Sequence, residues 1–482
     1  MKYLKVFPVF FFLIHFANLT SSQTSTSIDK PNIVLIVADD LGWKDVGFMG
    51  SKFYETPNLD ALAKQSLLFT NAYTAAANCA PSRACLFSGM NSPRQGIYTV
   101  GTSERGDEAS RKLIPVKNIE ILADSIFTLS EALQQAGYYT ANIGKWHIGK
   151  DPKTQGFDYN VGGTNQGNPP SYFSPYKIPA IKDGPPGEYL TDRLTTEAVS
   201  FLKENSKKKF FLYLPYYAVH TPLQVPSNLK EKYERKTKTS GQKHATYAGM
   251  IESLDVNIGR ILHQLDELKL TKNTIVIFTS DNGGIRNISY QDPLRAGKGS
   301  YYEGGIRVPL IIRWPGKVAE GSKTDVPVTN MDFYPTILDI LSIRSKNSRL
   351  DGKSLLPVLK GGTLAERPLY WHFPIYLQAY DSGTDDGRDP AFRTRPGAAI
   401  RLGDWKLHEY YEDNALELYN LKEDLGERNN LASKNPAMAK KLHDRLLSWQ
   451  KEVNAPIPTK PNPNFNPALQ FSINKVKGGS KD

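Results

Sequence analysis

Residues 32–42 read NIVLIVADDLG, in which a nearly continuous apolar run from Asn32 to Ala38 ends in two adjacent aspartates, Asp39 and Asp40. A strand that is apolar on both faces is typical of a parallel sheet covered by helices on each side. The stretch therefore predicts a buried strand of an α/β domain, with two carboxylates directly beyond its carboxyl end.

The same pattern continues along the chain. The segment from Thr128 to Glu131 predicts a capping box and a helix that ends at Gly137, followed by a strand over 138–143. Apolar runs at 210–214 and 274–279 predict two further strands. Apolar residues spaced three and four apart over 251–268 predict a long amphipathic helix. This alternation predicts a doubly wound α/β fold, a large and mostly parallel sheet sandwiched by helices, with a smaller C-terminal α+β subdomain.

Composition divides the chain into four predicted parts. Residues 1–22 have Lys2 and Lys5 before an apolar run and a polar end, which is typical of a secretory signal peptide. The other parts are the α/β domain over 23–360, the α+β subdomain over 361–455 and a surface or flexible tail over 456–482. We expect an exported protein, periplasmic or secreted, without stable membrane insertion, because no later segment is long and apolar enough to span a bilayer.

Charge and cysteine content exclude several classes of protein. There are 60 lysines and arginines against 49 acidic residues, a net charge of +11 on 482 residues, with 40% hydrophobic residues and two cysteines. This composition excludes a disordered chain, a collagen and a disulfide scaffold. The positive charge favours polyanionic partners. Nucleic acid is not expected, because the sequence has no recognisable binding module and no concentrated basic arm.

Polar side chains follow four of the predicted strands at the point where each strand ends. Because the carboxyl ends of strands in an open α/β sheet share one crevice, these side chains can converge. The groups are Asp39 and Asp40, Lys145 and His147, His220, and Asp281 and Asn282. The three carboxylates and the amide oxygen are hard ligands that suit Ca²⁺ or Mg²⁺ better than zinc. The sequence therefore predicts a shared cation site.

The segment CAPSR at 79–83 is the sharpest local signal. A cysteine phosphatase is excluded, because an arginine stands only four residues after Cys79 and no second basic residue is close. A zinc site is excluded, because Cys79 and Cys85 have no partner Cys/His pair at ligand spacing. A free cysteine is most often a buried small hydrophobe, which suits Cys85 and leaves the purpose of Cys79 open.

In its wider context this segment resembles a known signature. Together with LFSG at 86–89, CAPSR resembles the maturation signature of the formylglycine-dependent (type I) sulfatases, an arylsulfatase-like family of the alkaline phosphatase superfamily. Met90 stands where that signature usually ends in a basic residue, a departure that bears on the local helix cap and not on the nucleophile. The resemblance covers residues 30–450 and includes NIV at 32–34 with the two aspartates, GKWHIG at 144–149, HTP at 220–222, SDNG at 280–283, GKGSYYEGG at 297–305, WKL at 405–407 and ELYNL at 417–421.

The resemblance implies a nucleophile and a metal. In this family a maturation enzyme oxidises the cysteine that matches Cys79 to Cα-formylglycine (3-oxoalanine), whose hydrate carries two hydroxyls. The first hydroxyl attacks sulfur and the second later expels sulfate. One Ca²⁺ ion would polarise the sulfate and lower the pKa of the hydrate. Its implied ligands are Asp39, Asp40, Asp281, Asn282 and the residue formed from Cys79.

The resemblance also implies roles for the basic side chains. Arg83 would steady the hydrate and the surroundings of the cation, while Lys145 and Lys298 would bind sulfate oxygens. His147 would take the proton when the sulfated intermediate collapses, and His220, at the substrate, would protonate the departing alcohol. Lys298 remains an alternative to His220 as the main acid.

The implied substrate is a sulfated carbohydrate, either an algal polysaccharide such as ulvan or carrageenan, a glycosaminoglycan, or oligosaccharides cut from them. We expect His372, with Trp371, Phe373 and a disordered-looking loop over 388–395, to line the sugar subsite, because these rings cluster in the C-terminal subdomain. No role is assigned to the remaining histidines, His244, His263, His408 and His443.

Two other functions stay open. A phosphonate monoester or phosphodiester hydrolase could be built on the same core, since such relatives can also carry formylglycine. A non-catalytic binder of sulfated glycan would follow if Cys79 were never modified. The sequence argues against a binder, because binding alone has no need of the paired His147 and His220.

Overall fold

Strands and helices alternate along most of the chain in this computed structural model, which describes residues 1–5, 8 and 30–469. Most of the predicted signal peptide lies outside the described residues, as does the predicted tail from residue 470 onward. In chain order the strands are β1 (Asn32–Ala38), β2 (Leu67–Phe69), β3 (Ala72–Tyr73), β4 (Tyr139–Ile143), β5 (Tyr159–Val161), β6 (Phe210–Pro215), β7 (Thr274–Ser280), β8 (Leu310–Arg313), β9 (Lys323–Thr324), β10 (Val328–Thr329), β11 (Leu369–Phe373), β12 (Leu377–Gln378), β13 (Phe392–Thr394), β14 (Gly397–Leu402), β15 (Trp405–Tyr410) and β16 (Ala415–Asn420).

The helices of the described residues lie mainly between these strands. They are α1 (Pro57–Lys64), α2 (Cys79–Ser88), α3 (Ser92–Gln95), α4 (Leu129–Gln135), α5 (Leu190–Glu204), α6 (Ser227–Arg235), α7 (Ala245–Glu267), α8 (Glu303–Ile306), α9 (Phe333–Leu341), α10 (Leu356–Leu359) and α11 (Pro436–Glu452). Short 3₁₀ helices cover Gly47–Met49, Glu108–Ser110, Pro152–Gln155, Thr271–Asn273, Asn330–Asp332 and Pro467–Leu469. In this described part of the chain, no helix combines the length and the apolar character needed to cross a bilayer.

The largest sheet has eight strands in the order β5-β4-β6-β1-β7-β8-β2-β9. Only β8 runs against its neighbours β7 and β2, while the other pairs are parallel. Strand β1 lies between β6 and β7, and Ala38 at its carboxyl end pairs with Ser280. The prediction of a large, mostly parallel sheet is confirmed.

The side chains of β1 alternate between two buried faces of this sheet. Val34 and Ile36 belong to one apolar cluster, which α5 and α7 cover, whereas Ile33 and Leu35 belong to a second cluster, which α2, α4 and α9 cover. Because each face packs against helices, a polar residue on either side of the strand would lose its contact with water. This three-layer packing explains why the run is apolar at every position from Ile33 to Ala38.

Local side-chain contacts set where the helices begin. At α4, the hydroxyl of Thr128 accepts a hydrogen bond from the Glu131 N–H, and the Glu131 carboxylate accepts one from the Thr128 N–H. The predicted capping box is therefore present. Helix α7 begins earlier than the apolar spacing predicts, at Ala245, because Nδ1 of His244 accepts a hydrogen bond from the Tyr247 N–H. His244, which had no assigned role, is the N-cap of the longest helix.

The C-terminal subdomain is a separate antiparallel sheet with the strand order β11-β14-β15-β16. Helix α11 covers one face of this sheet through Leu442, Leu446 and Trp449, which form an apolar cluster with Ile400 and Leu407. This arrangement confirms the predicted α+β subdomain beside the main sheet.

A buried ion cluster joins the subdomain to the main domain. Nζ of Lys406 on β15 lies 2.9 Å from a carboxylate oxygen of Glu303 and 3.0 Å from one of Glu427. Nε2 of His408 lies 3.1 Å from the Glu427 carboxylate. Burial alone would raise the pKa of Glu303, but Lys406 and Arg307 lower it to about 2. The cluster therefore holds ionised groups away from water, which is stable only while each charge keeps its partner.

The loop over 388–395 is held in place by contacts within the protein. The interpretation of this segment as disordered, which was made from its sequence, is wrong. The loop contains β13, and two of its three arginines, Arg388 and Arg395, pair with carboxylates of the subdomain. Arg395 lies 2.8 Å from Glu412, and Arg388 lies 2.6 Å from Asp413. These ion pairs are mostly buried. They hold the loop in place of apolar contacts, which a hydrophobic pattern in the sequence would have revealed.

The described part of the predicted tail, residues 456–469, lies along the surface of the main domain. The N–H of Ile114 donates to the carbonyl of Lys460 at 2.9 Å, and the N–H of Asn466 donates to the carbonyl of Ala109 at 2.8 Å. Backbone hydrogen bonds of this kind fix the segment although it contains few apolar residues.

We predict that Lys406→Met destabilises the protein, because it leaves Glu303 and Glu427 buried without their shared cation. The expected loss is about 3–5 kcal/mol of unfolding free energy, measured by urea denaturation at pH 7.5. Lys440→Met is the matched control, because the Lys440–Asp444 pair is exposed and such pairs contribute less than about 1 kcal/mol. Equal stability of the two variants would contradict this role of the cluster.

Candidate active site at the carboxyl ends of the parallel strands

The structure brings the polar residues that follow the central strands into one buried pocket. Asp39 and Asp40 follow β1, Lys145 and His147 follow β4, His220 follows β6, and Asp281 and Asn282 follow β7. Cys79 opens α2, and Lys298 lies in the loop before α8. The residues predicted to line the sugar subsite, His372, Trp371 and Phe373, lie apart from this group.

Cys79 faces the first two aspartates from the first position of α2. Its Sγ lies 3.4 Å from Oδ1 of Asp39 and 3.9 Å from Oδ1 of Asp40, and the residue is 1% exposed. Helix α2 ends at Ser88, and the cap residue Gly89 has φ +66° and donates its N–H to the carbonyl of Cys85 at 2.8 Å. The helix is therefore capped by a glycine in the left-handed region, and Met90 does not disturb the cap.

Three carboxylates and one amide lie side by side beneath Cys79. The N–H of Asp40 donates to Oδ1 of Asp281 at 3.3 Å, and Nδ2 of Asn282 donates to Oδ1 of Asp40 at 2.8 Å. Asp40 has φ +62°, a conformation that a non-glycine residue adopts only at a cost. All of these side chains are at most 2% exposed, so water does not solvate their charges.

Three cationic side chains neutralise these carboxylates. Nζ of Lys145 lies 2.6 Å from Asp39, and Nζ of Lys298 lies 2.7 Å from Asp40. Nε of Arg83 donates to Asp281 at 2.9 Å, and Nη1 of Arg83 donates to the carbonyl of Lys145 at 2.9 Å. Each carboxylate therefore has one buried cation of its own.

The two neighbouring aspartates have different acidities. Burial and the Asp281 carboxylate raise the pKa of Asp39 well above its ordinary value, although Lys145 opposes the change. Burial would also raise the pKa of Asp40, but Lys298 and His220 outweigh it and hold that pKa below the ordinary range. Negative charge is thus crowded around Asp39, where an additional cation would relieve it.

The donor set fits a hard divalent cation. One ligand atom from each of Asp39, Asp40, Cys79 and His220 lies within 4.8 Å of the others. Oδ1 of Asn282 is buried and has no hydrogen-bond partner among the residues that the structure describes. An orphaned amide oxygen beside carboxylate oxygens is the kind of ligand set that Ca²⁺ accepts.

The two histidines of the site differ in their hydrogen-bond partners and in the charges that shift their pKa values. Nδ1 of His220 lies 2.6 Å from the carbonyl of Thr221, which can only accept, so Nδ1 carries the proton. Nε2 of His220 points at Asp40, 3.6 Å from its Oδ2. Burial and then Lys298 lower the pKa of His220. Burial, followed by Lys145, lowers the pKa of His147 well below its ordinary value, so His147 is a neutral acceptor at pH 7.

Sequence reasoning missed two residues that support the site. The hydroxyl of Tyr213 on β6 lies 3.3 Å from Nη1 of Arg83. Nδ2 of Asn330 donates to the carbonyl and the hydroxyl of Ser82, at 3.0 and 2.8 Å, and so anchors the first turn of α2. Tyr213 lies within an apolar run and Asn330 follows a two-residue strand, so neither position carried a signal in the sequence.

The expected sugar contact through His372 needs correction. The residue is 2% exposed, its Nε2 lies 3.0 Å from the carbonyl of Pro456, and its Nδ1 lies 3.1 Å from the Tyr411 hydroxyl. Trp371 and Phe373 are each 1% exposed and belong to an apolar cluster. Both ring nitrogens of His372 are thus used inside the protein, and the structure does not support a contact with a sugar.

Comparison with known proteins agrees with the geometry. Residues 31–343 match the family described as Sulfatase, and residues 297–452 match the family described as N-sulphoglucosamine sulphohydrolase, C-terminal. The chain is 35% identical to a protein named Sulfatase from Formosa agariphila, over 91% of this chain and 92% of that protein. It is 33% identical to the N-acetylgalactosamine-6-sulfatase of Homo sapiens, over 73% of this chain and 70% of that protein.

A solved structure is similar over nearly the same length. The crystal structure of Ps i-CgsB in complex with k-i-k-neocarrahexaose superposes with a TM-score of 0.71 and 30% identity, over 89% of this chain and 95% of that one. The fold, the buried pocket and these relatives define a hydrolase of the alkaline phosphatase-like class. The chain belongs to the sulfatase family, and it is a sulfuric ester hydrolase.

We predict that Gly167→Ala lowers sulfate ester hydrolysis, because a Cβ at this position would lie 2.7 Å from Cε1 and Nε2 of His147. The imidazole must move, and a shift of this size is expected to lower kcat about tenfold or more. The measurement is steady-state turnover of an aryl sulfate, with the melting temperature as a check on folding. Asn165→Ala, at an exposed position of the same loop, is the control, and full activity of Gly167→Ala would contradict a role for His147.

Proposed function

We propose that this sulfatase removes sulfate from sulfated carbohydrates by means of one Ca²⁺ ion and a Cα-formylglycine formed from Cys79. The single observation that carries the proposal is the position of Cys79, which faces Asp39 and Asp40 with cationic side chains on either side. A sulfate ester is an anion, so its hydrolysis needs positive charge around the group that reacts.

The proposed chemistry divides between the bound groups and the chain itself. When present, Ca²⁺ supplies a charge that polarises a sulfate oxygen, and the formylglycine hydrate supplies an oxygen nucleophile. Asp39, Asp40, Asp281 and Asn282 would hold the ion. Arg83 forms an ion pair with Asp281 and so keeps it in place. The pair is buried, since both side chains are only 1% exposed.

The remaining basic residues of the chain bind the anion and handle protons. Lys145 and Lys298 present buried ammonium groups that can donate to sulfate oxygens. His147 is neutral and buried, and no described residue forms a hydrogen bond with its Nδ1, so it can accept a proton during turnover. His220 must gain a proton at Nε2 before it can donate one to a leaving alcohol, and Lys298 is the alternative donor at the same position.

The relatives support a carbohydrate substrate. One relative is named for N-acetylgalactosamine 6-sulfate and another was crystallised with a carrageenan-type hexasaccharide, so an algal glycan or a glycosaminoglycan fits this chain. The net charge of +11 favours such polyanions. The proposal includes export, which rests on the N-terminal sequence pattern, and a maturation enzyme that modifies Cys79.

Our central prediction concerns Cys79. Coexpression with a formylglycine-generating enzyme should convert it to an aldehyde, detected by mass spectrometry of the peptide, and Cys79→Ala should lower sulfate release at least about a thousandfold. Cys85→Ala is the matched control, because Cys85 is buried beside Ser92 and Gln95 away from the pocket.

The outcomes separate the rival functions. Sulfate release from N-acetylgalactosamine 6-sulfate or a carrageenan oligosaccharide, together with the aldehyde, supports the proposal. Faster turnover of a phosphonate monoester or phosphodiester would favour the hydrolase of phosphorus esters. An unmodified thiol in protein from the native host, with glycan binding and no turnover, would favour the binder.

A second prediction tests the metal. Removal of Ca²⁺ with a chelator should abolish activity, and added Ca²⁺ should restore it. Asn282→Ala removes the orphaned amide oxygen, so the Ca²⁺ concentration for half-maximal activity should rise about tenfold or more. Calcium-dependent thermal stabilisation gives an independent readout. Asn429→Ala, at an exposed position, is the control, and an unchanged calcium dependence of Asn282→Ala would rule out this ligand.

A further inference from the structure

Two arginines beside the active site lack a carboxylate partner. Arg105 lies in the segment after α3, and Arg393 lies on β13. Within residues 30–469, no carboxylate oxygen lies within 4.0 Å of either guanidinium, although Asp385 interacts with Arg393 at longer range. Other buried arginines, such as Arg388 and Arg395, pair directly with a carboxylate. Unpaired positive charge in a partly buried position is costly unless an anion joins it.

A tyrosine completes this group. The guanidinium carbon of Arg393 lies 3.4 Å from the ring centroid of Tyr380, and Tyr380 is 47% exposed. An aromatic ring open to solvent on one face and backed by a guanidinium is suited to pack against a sugar ring. We call Arg105, Tyr380 and Arg393 the arginine–tyrosine cluster.

Hydrogen bonds attach this cluster to the catalytic loop. Nη1 of Arg393 donates to the carbonyl of Lys298 at 3.0 Å, and its Nε donates to the carbonyl of Gln378 at 2.9 Å. Lys298 is the residue whose ammonium group binds Asp40. Arg393 is therefore fixed to the backbone of a residue that reaches into the pocket.

Arg105 reaches the same place from the main domain. It donates to the carbonyl of Val100, and the adjacent Glu104 forms a strand bridge with Tyr376. Burial and Arg393 lower the pKa of Arg105, while Tyr380 and Cys79 raise it. A Cβ at the adjacent Gly106 would lie 2.6 Å from the ring of Phe392 and 3.2 Å from Gln378, so the backbone places Arg105 beside β12 and β13.

We propose that the arginine–tyrosine cluster binds a second anionic group of the substrate, a sulfate or a uronate carboxylate, on the sugar that carries the scissile sulfate or on its neighbour. The inference rests on the proposed function and adds that the preferred substrate carries a second anionic group. A guanidinium binds either oxyanion with two parallel hydrogen bonds, and Tyr380 orients the sugar ring between the two anions. The enzyme therefore prefers glycans in which two anionic groups lie close together.

The test measures binding separately from turnover. The full chain carrying Cys79→Ala, which does not consume substrate, is titrated by calorimetry with probes that differ by one anion. The probes are N-acetylgalactosamine 6-sulfate, its 4,6-disulfate, the glucuronate disaccharide of the 6-sulfate, and carrageenan disaccharides with one and two sulfates. We expect the two-anion probe of at least one series to bind at least about tenfold more tightly than its one-anion counterpart.

Variants locate the source of this preference. Arg105→Gln should reduce the ratio of the two dissociation constants to within about threefold of unity. Tyr380→Phe should keep the ratio, because the ring remains, and Tyr380→Ala should weaken binding of both kinds of probe. Arg344→Gln, at an exposed position, removes the same charge elsewhere and should leave the ratio unchanged. Melting temperatures check that each variant is folded.

Each outcome decides the question. A preference for the disulfate identifies a sulfate as the second anion, and a preference for the disaccharide identifies a carboxylate. Equal binding of one-anion and two-anion probes in every series, or a preference that survives in Arg105→Gln, would overturn the inference. Tight binding without turnover by the modified, wild-type enzyme would instead refute the proposed hydrolysis while leaving the cluster assigned.

Discussion

The burial of three carboxylates side by side is the constraint on which the rest of this structure depends. Ala38 and Ser280 pair in adjacent parallel strands, so Asp39, Asp40 and Asp281 leave the sheet at the same edge. Carboxylates in such a position are stable only with hydrogen bonds and cations around them. Helix α2, the segment after β4 and the loop before α8 each bring one cation, so the pocket dictates where these distant segments must meet.

The C-terminal subdomain contributes to the site from outside the sheet. Its ion cluster around Lys406 fixes α8, and β13 holds the loop of Lys298 through Arg393. The main domain thus supplies the buried polar groups of the pocket, whereas the subdomain positions one of them, Lys298. Differences in that subdomain can alter which glycan is accepted without changing the buried carboxylates.

The sequence predicts the pocket well because strand ends are local features. The apolar run before Asp39 and Asp40 shows where β1 stops, and parallel topology then brings the polar groups together. The environment of His372 could not be predicted, because it depends on the carbonyl of Pro456, which arrives from a distant segment without an apolar pattern. The order of the 388–395 loop likewise depends on ion pairs between distant residues, and hydrophobic periodicity contains no information about such pairs.

The pairing of buried charges has a consequence for the order of events. The formal charges of the pocket cancel, because three anions face three cations: Asp39, Asp40 and Asp281 against Arg83, Lys145 and Lys298. An electroneutral pocket exerts no net pull on an incoming sulfate. A divalent cation held there, as proposed, would leave two positive charges in excess, and the pocket would then attract an anion. In the proposed function, loading of the metal would therefore come before capture of the substrate, and the metal-free protein would bind sulfate esters more weakly as well as turn them over more slowly.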